Sequence, residues 1–227
     1  MNLVDPLFWT ALLKIIGINI VLSGDNAVVI ALAARSLPAD QQKKAIFWGS
    51  AAAIIMRIIL TLFAVKLLQF PWLKIVGAGL LIWIGVKLLI PEDEGEAGMP
   101  IHDNLMAAIK TILIADLVMS LDNVIGVAAA AKDDVVLMVL GLAISIPLII
   151  FASTVLLKLM ERFPIIITIG AALLGFVAGE MAITDPVTKD WVIQNAHWME
   201  YAVPVAGALL VVGVGKYIAN RQSAAEG

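Results

Sequence analysis

The sequence predicts an all-α polytopic membrane protein with seven transmembrane helices, arranged as an inverted 3+3 repeat plus one extra helix. Three observations carry that reading. First, 62% of the 227 residues are apolar and 15% are charged, where soluble domains carry about 25% charged residues; the mean hydropathy is +1.01. Second, the apolar residues gather into runs of membrane-spanning length, mostly bounded by charges. Third, a polar motif inside the first run recurs inside the fourth. Such a composition cannot cover a soluble fold with polar surface, which excludes cytosolic enzymes, secreted domains and disordered chains. The absence of cysteine excludes disulfides, thiolate metal sites and cysteine nucleophiles. A net charge of −3, with no long basic stretch, offers nothing to nucleic acid.

The spans follow in order. Span one covers residues 15–34, between Lys14 and Arg35. Span two covers 45–65, between Lys44 and Lys66, and span three covers 72–90, where Lys87 can snorkel. Span four is 111–131, span five 135–157, span six 164–184 and span seven 198–218. Trp198, Tyr201 and Tyr217 stand at the ends of span seven, as interfacial aromatics do. The longest connections are 91–110, which holds His102, and 185–197, which holds His197. The first run is too long for a secretory signal, lacks a cleavage-like end and recurs later in the chain. No lipidation motif is evident. The whole chain, 1–227, reads as one transmembrane domain.

Lysine and arginine counts near the span ends set the expected orientation. An outside N-terminus places nine basic residues on the cytoplasmic side and five outside, with Arg57 in mid-span uncounted. The expectation is a multi-pass protein of the cell (inner) membrane, N-terminus out and C-terminus in.

The repeat joins spans one to three (15–90) to spans four to six (111–184), leaving span seven over. Val21-Leu22-Ser23-Gly24-Asp25-Asn26-Ala27-Val28 matches Val118-Met119-Ser120-Leu121-Asp122-Asn123-Val124-Ile125. Phe70-Pro71 followed by Gly77-Ala78-Gly79-Leu80-Leu81 matches Phe163-Pro164 followed by Gly170-Ala171-Ala172-Leu173-Leu174. Three crossings are an odd number, so the second copy enters from the opposite side. Secondary transporters are often built this way, with substrate sites near the midplane.

Asp25 and Asp122 lie near the centres of their spans, where an ionised carboxylate costs about 2.5–3.5 kcal/mol. Ser23 and Asn26 accompany the first, Ser120 and Asn123 the second. Carboxylates, amide carbonyls and hydroxyls make a hard oxygen set, suited to Mn²⁺, Mg²⁺ or Ca²⁺ rather than to zinc or copper. The structural alternative is polar glue between helices, a role usually filled by Ser, Thr or Asn. Arg57, in the middle of span two, needs a partner: it either neutralises a midplane Asp or holds the site together and moves when the ion arrives. Asp116 precedes Asp122 by almost two turns, and Glu180 lies near the outer end of span six. With the Asp25/Asp122 pair these two would form an acidic ladder, unless Glu180 is an interfacial charge.

These residues resemble the TerC family of integral membrane proteins, and its short, YjbE-like branch in particular. The resemblance spans nearly the whole chain and implies Mn²⁺ efflux across the plasma membrane, with Asp25, Asn26, Asp122 and Asn123 as ligands and Asp116 contributing. The expected activity is secondary transport of a divalent cation, coupled to proton entry, since no Walker A loop appears. No catalytic residue or cofactor is expected; Mn²⁺ is the substrate, the bilayer is the surrounding partner, and the sequence allows a homo-oligomer. Two other readings stand beside it: a membrane scaffold that aids assembly or metallation of other proteins, and an exporter of a small organic solute.

Overall fold

A computed structural model describes residues 9–10, 12–17, 24–67, 70–90, 101–131 and 134–225. Side chains at 64–67, 101–104, 122–126, 128–131, 135 and 223–225 are not described. Among the described residues the chain is all-helical, without strands. After a helical stretch at 12–17 come α1 (Gly24–Ala34), α2 (Ala39–Leu67), α3 (Leu73–Leu89), α4 (Ile101–Ala131), α5 (Val135–Arg162), α6 (Ile165–Thr184), α7 (Lys189–Asn195) and α8 (Met199–Ala225). Among the described residues, four helical segments are long and apolar enough to cross a membrane: Ala39–Phe63, Val136–Arg162, Ile165–Thr184 and Met199–Gln222.

Helix boundaries depart from the apolar runs in an interpretable way. Charged residues end an apolar run, but Lys, Gln and Ala keep a helix going. So α2 begins at Ala39, with the Gln41 and Gln42 amides donating to the Pro38 carbonyl (2.8 and 2.9 Å). Likewise α4 reaches back to Ile101, which places His102 on a helix rather than in a loop. The 185–197 connection contains α7. α5 starts where the Asp134 side chain accepts from the Leu137 amide (3.0 Å) and runs unbroken through Pro147.

The helices pack in two neighbourhoods. α6 lies along α8, and α3 completes that group. Gly175 and Gly207 face each other so closely that a Cβ on either would strike the other's backbone, and Gly179 abuts Pro204. α2 lies along α4, and α1 along α5, with α1 also touching α4. Gly49 of α2 seats Ile112 of α4, where a Cβ would come within 2.7 Å of its Cδ1. Gly141 of α5 seats Ile15 in the same manner. Ile15 stands ten residues before Asp25, and Ile112 ten before Asp122.

Counting from these two glycines, α2 and α5 bury the same face. Ala45, Ile46, Ser50, Ala53, Arg57 and Thr61 are buried on α2; Leu137, Met138, Leu142, Ser145, Ile149 and Ser153 are buried at the corresponding positions of α5.

The outside of the bundle is apolar. All six tryptophans are more than half exposed, and so are both tyrosines, whereas the largest fully buried side chain among the described residues is Arg57. A soluble core would reverse that placement.

Candidate functional site: a buried charge cluster between α2 and α4

Asp116 and Ser120 lie one turn apart on α4, so they share a face. That face meets α2 four residues beyond Ile112, just past the point where Gly49 lets the helices close. Arg57, two turns along α2 from Gly49, enters the same gap. Its Nη2 donates to Asp116 Oδ1 at 2.5 Å, and its Nε donates to Ser120 Oγ at 3.0 Å. Ser120 Oγ donates in turn to Asp116 Oδ2 at 3.2 Å. Arg57 is 1% exposed and Asp116 4%. Thr61 Oγ1 donates to the Arg57 carbonyl (2.7 Å), so its hydroxyl is satisfied within its own helix.

The cluster meets the condition for burying charge: the two ions are paired and hydrogen-bonded. Removing one member of a buried pair costs about 3–5 kcal/mol, because the other charge is left alone in a low dielectric. Asp25 sits half-buried in the first described turn of α1, its carboxylate accepting from the Asn26 amide (2.8 Å), and Asn26 itself is buried. Asp25 lies within electrostatic reach of both Arg57 and Asp116.

The structure thus brings together Arg57, Asp116 and Ser120, with Asp25 and Asn26 on the neighbouring helix. Ser23 lies outside the described residues, as do the side chains of Asp122 and Asn123. Glu180 is on the exposed side of α6. Among the described residues no three His, Asp or Glu side chains converge as a metal cage would require.

Two polar anchors escaped the sequence reading. Asp185, fully buried at the end of α6, accepts from the amides of Val187 (2.9 Å), Trp72 (3.1 Å) and Lys74 (3.1 Å). Burial alone would raise its pKa, but these backbone donors outweigh it and hold the carboxyl below the ordinary value of 3.8. The carboxylate caps α3 from another helix and steadies Trp72, whose φ of 70° is unusual for a bulky residue. At the other end of α3, Arg35 Nη2 donates to the Leu88 carbonyl (2.9 Å), matching a cation to the negative end of the helix. An Asp-Pro step after an apolar run hints at a cap, but its target lies 113 residues away in the chain.

A helical bundle with an apolar exterior and a charged pair at its heart defines an integral membrane protein. The match to the TerC family of integral membrane proteins covers residues 4–223, and the chain belongs to that family. It is 41% identical over 202 residues to the uncharacterized membrane protein YjbE of Bacillus subtilis (strain 168), covering 89% of this chain and 92% of that protein. It is 30% identical to the membrane protein YceF of the same organism, over 79% of this chain and 73% of the relative. The UPF0053 inner membrane protein YgdQ of Escherichia coli (strain K12) is 28% identical, over 70% of this chain and 74% of its own length. No solved structure matches.

Proposed function

We propose that the chain is a secondary transporter that exports a divalent cation, Mn²⁺ foremost, across the cell membrane in exchange for protons. The observation that carries this reading is the Arg57–Asp116–Ser120 cluster beside Asp25, buried in a bundle whose outside is apolar. Charge at such depth is costly and marks ion pathways. Asp25, Asn26, Asp116, Asp122 and Asn123 supply hard oxygen ligands, with Ser23 and Ser120 in support. Cation and protons compete for the same carboxylates, and that exclusion couples their movements in opposite directions.

The proposed frame is seven spans, with α1, α3 and α4 added to the four segments named above, related in two inverted halves. Two observations support it. Gly49 seats Ile112 as Gly141 seats Ile15, each isoleucine ten residues ahead of an Asp-Asn pair. The α2–α4 and α1–α5 packings correspond under that exchange, as do α3–α4 and α1–α6.

The test is Mn²⁺ flux in proteoliposomes under an imposed proton gradient. Inward-acid vesicles should accumulate Mn²⁺ with wild-type protein, and Asp25→Asn should reduce uptake at least tenfold. Wild-type vesicles that pass no Mn²⁺ would favour the scaffold reading.

A further inference from the structure

Along the matched buried faces of α2 and α5, charge differs at one place. Eight residues beyond Gly49 stands Arg57; eight beyond Gly141 stands Ile149, also buried. The facing helices differ in step. Asp116 precedes the Asp122-Asn123 motif by six residues, and the residue six before Asp25-Asn26 is the neutral Asn19, which lies outside the described residues. Cation and anion are thus both present in one half and both replaced by neutral residues in the other. A pair that served only to hold helices together would be dispensable in both halves, because apolar packing does that work at lower desolvation cost.

The guanidinium and Ser120 occupy the carboxylate of Asp116. The guanidinium takes Oδ1 directly, while Ser120, held by Arg57 Nε, takes Oδ2. Both oxygens of the carboxylate are therefore engaged by one arginine and the serine it orients. We infer that Arg57 is a built-in counter-ion that competes with the transported divalent cation for Asp116, and so lowers the affinity of the site enough for the ion to leave. This rests on the divalent-cation reading above. A transport site must bind well enough to load and weakly enough to unload, and a tethered competing cation achieves this without sacrificing ligands. Arg57 is in this sense a positioning residue that acts through Asp116.

The experiment is equilibrium binding of Mn²⁺ to the purified full chain in detergent, read by the electron paramagnetic resonance signal of free Mn²⁺. Arg57→Gln should bind Mn²⁺ about tenfold more tightly than wild type, and Arg57→Lys, which keeps the charge, should stay close to wild type. In an Asp116→Asn background the same Arg57→Gln change should have no effect, since the contested carboxylate is gone. An equal gain in both backgrounds would reduce Arg57 to general repulsion and overturn the proposal. So would unchanged or weaker binding by Arg57→Gln. Wild-type protein without saturable Mn²⁺ binding would instead sink the transport reading itself. Should Arg57→Gln fail to fold, the double variant Arg57→Ile with Asp116→Asn, which copies the residues at the matching positions of the other half, provides the neutral reference. Against it, Arg57→Lys alone must bind more tightly if Asp116 is a ligand under competition, and equal binding overturns the idea.

Discussion

Asp185 shows how one carboxylate can organise a helix junction from outside the apolar spans. Its oxygens collect amides from both sides of the gap between α6 and α3, and its pKa is held below 3.8 by them. A depressed carboxylate contributes stability that is complete above the unfolded-state pKa and lost as pH falls through the folded one. Wild-type protein in detergent should therefore keep its melting temperature from neutrality down to about pH 4 with respect to this group, and lose it below. Asp185→Ala should be destabilised at pH 7 by about 1–3 kcal/mol, the cost of orphaned buried donors, and its stability should fall less on further acidification. A variant with wild-type melting at pH 7 would show that the amides find other partners. At the same scale, the buried Arg57 illustrates why residue identity alone misleads. A lone arginine in an apolar run reads as an error until Asp116 and Ser120 are placed beside it.

Among the elements, the α6–α8 pair depends on glycines at backbone contact. Gly175, Gly179 and Gly207 leave no room for a side chain: an added Cβ would meet Gly207, Pro204 or Gly175 backbone rather than a flexible side-chain end. Close approach through small residues is the usual basis of helix association within lipid. Gly207→Leu should force α8 away from α6 at a cost of about 1–3 kcal/mol or more, visible as a lower melting temperature and as new protease cleavage near 185–198. Gly79→Ala, where an added Cβ meets nothing within 4 Å, is the matched control and should be neutral. At Gly49 the obstruction is the tip of Ile112, so Gly49→Ala should be milder than any change on α6.

For the molecule as a whole, surface chemistry is inverted relative to a soluble protein. Tryptophan and tyrosine face outward while Arg57 and Asp116 lie inside. The proposed orientation, with the α1–α2 connection in the cytoplasm and the α6–α8 connection outside, is testable because the chain has no cysteine of its own. Lys43 and Val187 are both exposed. Val187→Cys should react with a membrane-impermeant maleimide in intact cells, and Lys43→Cys only after permeabilisation. The reverse pattern would invert the proposed topology.

Composition and run length were enough to determine the helical membrane class, because in lipid every backbone amide must be satisfied within its own helix. The motif Ser-x-Asp-Asn, which recurs in two apolar runs, was legible for a similar reason: carboxylates inside an apolar run are costly enough to stand out. The sequence also placed α3 and α6 to within a residue at each end, since apolar run and helix coincide there. It misjudged the starts of α2 and α4, where the helix continues past the apolar limit on Ala, Gln and Lys. Tertiary structure alone decided that Arg57 pairs directly with Asp116 and also binds Ser120, that Asp185 caps α3, and that Glu180 faces outward. Each of these joins or separates residues far apart in the chain. Local periodicity says which residues share a helix face, but only packing, set by where Gly49, Gly141 and Gly207 admit a neighbour, says which faces meet.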